Sequence, residues 1–292
     1  MVYSDLFIIG NGFDLAHGMP TSYGYFRKWL IDNNRLDVIF ELQKAYPVRL
    51  EDDFLLWSDF ERSLGQYDFD KVINWGWDDL YLTEVSIGDQ MFHSPDFFLN
   101  SSLPDIVNGV FSEWMHSVPV SNRKLYEDIN DDAFYICFNY TDTLEALYCI
   151  PERLFLHIHG RASKGEHLIV GHNRLIDPFV YSSDGYDVRE NNERMQRLLD
   201  MNSLCKPFAK IIEQNDFFFE KLGDVKEIYV RGHSCDDIDY PYFRKIKESV
   251  LKEALWHFYP FSLNLEADKR RIDLMREEIG INSFVYHYEN VD

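Results

Sequence analysis

The sequence predicts an α/β fold, a Rossmann-like, mostly parallel sheet flanked by helices and interrupted by a helical insertion. Three observations predict it: an early apolar run that ends in glycine, alternating strand and helix patterns in the second half, and an aromatic-rich helical stretch between them. The early run, residues 6–9 (LFII), is closed by Gly10 and is typical of a central strand buried on both faces of a parallel sheet. Alternating strands and helices favour parallel strands joined by right-handed crossovers.

Helical periodicity dominates from Tyr25 onward. The segments that carry it are YFRKWLI, LDVIFELQKAY, DFLLWSDFERSLGQY and DIVNGVFSEWMHSV. We therefore predict two domains. Residues 1–34 and 130–292 form a Rossmann-like nucleotide-binding core, and residues 35–129 form a mostly helical insertion.

Strand patterns return in the second half, where each run ends in small or polar residues. The predicted strands are residues 133–139 (AFYICFN), 153–160 (RLFLHIHG), 167–173 (HLIVGHN), 227–234 (EIYVRGHS), 255–258 (LWHF) and 284–288 (FVYHY). Helices are predicted from Asp236 and over residues 266–278, and Pro207 is expected to split a longer helical segment into two. Ligands of such sheets bind at the carboxyl ends of the strands near a switch point, so the polar residues that end these strands form the candidate site.

Composition and charge exclude several classes of protein. The 292 residues are 46% hydrophobic and 16% aromatic, which is far too rich in apolar side chains for a disordered chain. The formal net charge of -21 opposes binding to nucleic acids and to anionic membranes. We therefore expect no direct nucleic-acid partner and no membrane partner.

The cysteines and the start of the chain predict a cytoplasmic protein. The four cysteines are widely spaced and include no C-x-x-C pair, which suggests neither a zinc knuckle nor a disulfide framework. The first apolar run is only four residues long, and it has no basic leader and no cleavage site. No segment approaches the roughly 20 apolar residues of a membrane span.

A glycine turn follows the first strand and is the first candidate ligand site. Directly after a buried strand, paired glycines permit a tight turn and let backbone N–H groups approach a pyrophosphate. The complete G-x-G-x-x-G fingerprint is absent, because Leu15 occupies the place of its third glycine. The alternative is an ordinary strand-to-helix turn that Asp14 caps. The turn residues predicted to bind a cofactor are Gly10, Asn11, Gly12, Phe13 and Asp14.

A second cluster of polar residues ends the strand at residues 133–139. Asn139 is predicted to be catalytic, since its amide has both donor and acceptor atoms to orient a ligand carboxamide or an attacking water. Thr141 and Asp142 are predicted to bind the cofactor. The alternative is that Thr141 or Asp142 caps the next helix, with Glu145 as its capping-box partner.

Two histidines alternate with an isoleucine at the end of the next strand. On a strand, His157 and His159 would point to the same face, so they could both ligate a metal or leave one as a base and one as its support. A strand histidine is usually only a satisfied polar residue. Because Gly160 follows at the predicted strand end, His159 is predicted to be catalytic.

Two later strands also stop at small and polar residues, in the segments GHN (171–173) and GHSCDDID (232–239). Ser234 and Asp236 could bind ribose hydroxyls or phosphates, or simply cap the following helix. Capping is the preferred interpretation for Asp236. The residues of this segment predicted to bind the cofactor are Gly232, His233 and Ser234.

The helical region contains one more charged pair. Trp57, Phe60 and Leu64 have the spacing of core residues. Asp59 and Glu61 lie between them and would face either a cleft or, as the favoured interpretation, solvent.

Together these motifs resemble the AbiH family of bacterial abortive-infection proteins, and the match spans nearly the whole chain. The segments that carry it are LFIIGNGFDLAHGMPTSY, WSDFERSL, CFNYTDTLE, HIHG and GHSCDDIDYPYF. The resemblance implies an antiphage role.

Several of the same segments are also similar to sirtuin-type NAD-binding domains and their NAD-cleaving relatives. There the glycine turn reads GAGxS with a later GIP, which residues 10–12 and 18–20 resemble. By the same likeness, Asn139 takes the place of the catalytic asparagine, His159 that of the histidine before glycine, and residues 232–234 that of a later Gly-Thr-Ser. Asp142 sits one residue later than the family's Asn-Xaa-Asp would place it. The zinc-binding cysteines are missing, which argues against a protein deacylase.

Three functions compete on these observations. The leading one is NAD binding with hydrolysis of the nicotinamide glycosidic bond, in which NAD is substrate or ligand and no metal is expected. The second is a metal-dependent phosphoesterase or nuclease that uses the histidines His157, His159, His172 and His233. The third is a nucleotide-sensing module without turnover. The expected partner is a small-molecule nucleotide, and a homo-oligomer or a phage-derived trigger is left open.

Overall fold

The protein is described by a computed structural model that covers residues 3–45, 57, 60–66, 103–175, 195, 198–260 and 264–287. Its strands are β1 (Asp5–Ile9), β2 (Phe134–Cys137), β3 (Phe155–His157), β4 (Glu227–Arg231), β5 (Leu255–Tyr259) and β6 (Phe284–Tyr286). Its α-helices include α1 (Asn11–Ala16), α2 (Tyr23–Asp32), α3 (Leu36–Ala45), α4 (Phe60–Leu64), α5 (Leu103–Ser117), α6 (Thr143–Tyr148), α7 (Phe208–Gln214), α8 (Asp216–Glu220), α9 (Tyr240–Ser249) and α10 (Leu265–Ile279).

The six strands form one sheet in the order β3-β2-β1-β4-β5-β6, and every pair of neighbours is parallel. This arrangement confirms the predicted α/β, Rossmann-like class. The strand order reverses at β1, because β2 and β3 extend the sheet to one side and β4, β5 and β6 to the other. Such a reversal is the switch point at which doubly wound sheets bind their ligands.

The two faces of the sheet are packed differently. On one face, α9 contributes buried aromatic side chains, and Phe243 contacts both Phe138 and Trp256. On the other face, side chains in register across four strands stack their rings at centroid distances of 5.3, 4.8 and 4.7 Å. These rings belong to Tyr135, Phe7, Tyr229 and His257. Burial between these two layers explains why β1 is apolar from Leu6 to Ile9.

One predicted strand is wrong. Residues 167–173 form no strand in the structure, and their only described ladder contact is an isolated bridge between His172 and Cys205. Leu168 is buried, and Ile169 donates a single backbone hydrogen bond to the carbonyl of His159. The apolar residues of this segment are therefore buried by side-chain packing, and the segment does not pair with a strand of the sheet.

The helix predicted from Asp236 begins four residues later. Asp236 instead caps a 3-10 turn, Asp237–Asp239, by accepting the N–H of Ile238, which agrees with its expected capping role. The α-helix α9 then starts with a proline in its first turn, where the missing proline N–H costs nothing. Pro207 lies directly before α7, as a helix-splitting proline should.

The chain divides into two compact units, which we describe separately. The first comprises Met1–Ser22, Trp114–Ile169 and Pro207–Asp292, and it contains the sheet and all residues predicted to be catalytic or to bind the cofactor. The second comprises Tyr23–Glu113 and Val170–Lys206. The predicted domain boundaries stay a prediction. Within the described part of the chain, no helix combines the length and the apolar character needed to cross a membrane.

Candidate functional site

The glycine turn after β1 is closed against the loop that follows β4. Gly10 N–H donates to the carbonyl of Arg231 at 3.0 Å, and Gly12 N–H donates to the carbonyl of Gly232 at 2.7 Å. A Cβ on Gly10 would lie 2.5 Å from the Cα of His233. A Cβ on Gly232, whose φ is +63°, would lie 2.2 Å from the backbone nitrogen of Phe13. Gly10 and Gly232 are thus required by the contact between two loops at the switch point. The N–H groups of Gly10 and Gly12, which were predicted to bind a pyrophosphate, already donate to acceptors in the protein.

Phe13, predicted to bind the cofactor, is buried in an aromatic cluster. Its ring lies 4.5 to 5.9 Å from those of His17, Tyr126 and Tyr148. His17 Nδ1 bonds to the carbonyl of Phe13 at 2.7 Å and must therefore donate, so its Nε2 accepts from the hydroxyl of Tyr148 at 2.8 Å. The Phe13 side chain therefore contributes to packing.

Asp14 joins the glycine turn to the loop after β2. Its carboxylate accepts hydrogen bonds from the hydroxyls of Thr141 at 2.6 Å and Thr143 at 2.7 Å. Asp14 is 1% exposed and lies inside α1, whose N-cap is Gly10, so it is not the cap considered from the sequence. Burial raises the pKa of Asp14, and the hydrogen bonds from the two threonine hydroxyls offset part of that effect. The pairing of Asp14 with Thr141 and Thr143 was not predicted from the sequence. The available signal was the spacing of the two threonines, which lie two residues apart.

Asn139 follows β2 and is 5% exposed. Neither its side-chain oxygen nor its side-chain nitrogen has a hydrogen-bond partner among the described residues. An amide that is buried without partners is costly, so native proteins rarely keep one without a reason. This side chain has both a donor and an acceptor available to a ligand.

His157 and His159 do not share a face, so that prediction is wrong. The strand β3 ends at His157, and the two-residue alternation of a strand does not continue to His159. His157 Nε2 lies 2.7 Å from Glu145 Oε1, and its Nδ1 lies 3.0 Å from the carbonyl oxygen of Asn139. His159 instead faces Asp239. Gly160 takes a φ of +83°, and a Cβ there would lie 2.6 Å from the carbonyl oxygen of His167.

Asp142 belongs to an ion-pair network on the same loop. Its Oδ1 lies 3.7 Å from Nε of Arg161, which also donates to Glu145 at 2.8 Å. Asp142 occupies the N-cap position of α6 but makes no capping hydrogen bond with its side chain. The Glu145 carboxylate bonds to His157 and Arg161, so the capping box considered from the sequence is not formed.

A carboxylate that the sequence did not single out lies between two imidazoles. Asp239 Oδ1 is 3.8 Å from His159 Nε2, and its Oδ2 is 3.4 Å from His233 Nε2. His233 Nδ1 accepts the N–H of Cys235 at 2.9 Å, so the proton of a neutral His233 sits on Nε2, toward Asp239. The Phe138 ring packs edge-on against both imidazoles. In the sequence, Asp239 belongs to the acidic segment that was predicted to start a helix. It was therefore not predicted to be a site residue.

Ser234 is exposed on the same loop, and its binding role stays a prediction. Asn11 donates its side-chain amide to the carbonyl of Thr21 at 3.0 Å, which ties the turn to the segment after α1. The segments after β1, β2, β3 and β4 therefore supply the candidate site at the carboxyl edge of the sheet.

The remaining candidates lie in the second unit. His172 Nε2 bonds to the carbonyl of Met201 at 3.0 Å, and its Nδ1 accepts the N–H of Arg174, so both ring nitrogens have structural partners. Glu61 pairs with the buried Lys206 at 3.1 Å, and Asp59 lies outside the described residues. Across the described ranges, no group of three or more His, Cys, Asp and Glu side chains is placed to hold a metal ion.

Comparison with known protein families identifies the family of the chain. The family model described as bacteriophage abortive infection AbiH matches residues 6–259, which is most of the chain and includes every residue of the candidate site. No curated protein and no solved structure matches the chain significantly. The matched family is one of abortive-infection proteins that act against bacteriophage. The chain belongs to the bacteriophage abortive infection AbiH family.

Proposed function

We propose that the chain binds NAD at the carboxyl edge of β1, β2 and β4 and hydrolyses its nicotinamide glycosidic bond. The observation that carries the proposal is the buried side chain of Asn139, whose donor and acceptor atoms have no partner among the described residues. A primary carboxamide, such as that of nicotinamide, offers one acceptor oxygen and an N–H donor group, and it can therefore satisfy both.

The strand order supports a nucleotide as the ligand. Dinucleotides bind across the point where a doubly wound sheet reverses, and Asn139 follows β2, the neighbour of β1 at that point. Because the N–H groups of Gly10 and Gly12 donate within the protein, the nicotinamide end of NAD is held by side chains, and these two N–H groups make no phosphate contact.

Two side chains have roles in the proposed hydrolysis. Asn139 holds the carboxamide or the attacking water, which fixes the orientation of the bond to be broken. His159 accepts the proton of the water that attacks the ribose anomeric carbon, while the bond to nicotinamide breaks and its electrons leave with the ring. Asp239 faces the same imidazole and stabilises its protonated form. The products are nicotinamide and ADP-ribose.

The purified chain is expected to release nicotinamide from NAD, alone or after addition of an extract from phage-infected cells. Both products can be measured by liquid chromatography and mass spectrometry, and equal amounts of nicotinamide and ADP-ribose are expected. An extract from uninfected cells and the extract without the chain are the controls. If NAD binds but no nicotinamide appears in either condition, the chain is a sensor without turnover. If NAD does not bind at all, the proposal is wrong.

A further inference from the structure

The imidazole of His157 is enclosed by acceptors on both of its nitrogens. We infer that His157 is a doubly protonated positioning residue that holds Asn139 in place through the backbone carbonyl of Asn139. The role of Asn139 in ligand binding rests on the proposed function, whereas the protonation state of His157 does not.

The hydrogen bonds of His157 require two protons on the ring. Nδ1 lies 3.0 Å from the carbonyl oxygen of Asn139, which can only accept, so Nδ1 must donate. Nε2 lies 2.7 Å from Glu145 Oε1. The same oxygen accepts from Arg161 at 2.8 Å, and an ionised carboxylate can only accept, so Nε2 must donate as well. A neutral imidazole has one N–H and would lose one of these two bonds.

The charges around His157 agree with an imidazolium. Burial by itself would lower the pKa of His157, but the hydrogen bond and the negative charge of Glu145 act in the opposite direction and raise it. Burial raises the pKa of Cys137, so its thiol is neutral and Glu145 is the anion that matters. Burial would also raise the pKa of Glu145, but the hydrogen bonds from His157 and Arg161 lower it overall.

The position of His157 gives this charge a consequence for the site. His157 donates to the backbone carbonyl of Asn139, whose buried side-chain amide has no partner among the described residues. On the other side of the ring, Glu145 is held in place by a hydrogen bond from Arg161. A hydrogen bond from a charged donor is stronger than one from a neutral donor, so the carbonyl of Asn139 is held more firmly than by a neutral loop contact.

The protonation state can be measured in the ligand-free full chain. With ¹⁵N-labelled histidine, and with the signals of His157 assigned from a His157→Gln variant, both ring nitrogens are expected to show protonated shifts at pH 8. The ordinary histidine pKa is about 6.5, so an unperturbed ring would be neutral there. A neutral His157 at pH 8 would overturn the inference, whether or not the chain acts on NAD.

A pair of substitutions separates positioning from charge alone. Glu145 and Glu152 both accept from Arg161, but Glu145 alone of the two bonds to His157. Glu145→Gln is expected to lower the pKa of His157 and to weaken NAD binding roughly ten-fold. Glu152→Gln should leave the pKa of His157 unchanged and the affinity for NAD within two-fold of that of the unaltered chain. Unchanged His157 protonation and NAD affinity in Glu145→Gln would refute the positioning role. Failure of the unaltered chain to bind NAD would refute the proposed function instead.

Discussion

Replacing Asn139 with alanine is expected to lower the rate of nicotinamide release roughly 100-fold or more, with little effect on stability. The rate falls because the truncation removes the group that orients the substrate, and misplacement at a reacting centre is costly. Stability changes little because the lost amide makes no hydrogen bond to the described residues, and its removal should shift the free energy of unfolding by less than about 1 kcal/mol. Steady-state rates and urea unfolding measure the two effects.

Asn215 provides the matched control. Its side-chain nitrogen donates to the carbonyl of Ile211 at 2.8 Å, away from the candidate site. Asn215→Ala should therefore cost about 0.5–1.5 kcal/mol of stability and leave the rate unchanged. Asn139 does not have the proposed role if Asn139→Ala keeps full activity, or if it loses activity only because the protein unfolds.

The second large effect is expected at the contact between the two loops. Gly232→Ala should destabilise the protein by about 4 kcal/mol or more, or prevent folding, because the new Cβ would lie 2.2 Å from the backbone nitrogen of Phe13. A shift that relieved this clash would also disturb the 2.7 Å hydrogen bond from Gly12 N–H to the carbonyl of Gly232. Thermal and denaturant unfolding give the size of the loss.

Gly165 separates the clash from the backbone strain. Its φ of +64° matches that of Gly232, but no described atom lies within 4 Å of a Cβ built there. Gly165→Ala should therefore lose only the roughly 1–2 kcal/mol that a side chain costs in the left-handed conformation. Equal losses in the two variants would mean that the close approach contributes nothing.

Local patterns predicted the elements of the fold well. The buried run before Gly10 is the central strand, and the polar residues that follow β1 to β4 lie at one edge of the sheet because parallel strands all end there. The failure at residues 167–173 has a physical reason. Alternating apolar residues predict burial, but a strand also needs a partner, and partners are chosen by tertiary structure.

The chemistry of the site was harder to predict, because it depends on pairings between distant segments. The paired glycines were interpreted as room for a phosphate, whereas at Gly10 and Gly232 they make room for another loop of the same chain. Asp239 looked like a residue of a helix start until the fold placed it between His159 and His233. His157 seemed equivalent to His159, but the end of β3 gives the two rings different surroundings.

The most direct test of the account follows the side-chain amide of Asn139 by NMR in ¹⁵N-asparagine-labelled chain, with its signals assigned from Asn139→Ala. Addition of NAD is expected to shift these two amide-proton signals and to slow their exchange with water, since the amide gains the hydrogen bonds that it lacks in the free protein. If the signals stay unchanged at millimolar NAD, Asn139 does not bind this ligand, and the proposed site is contradicted.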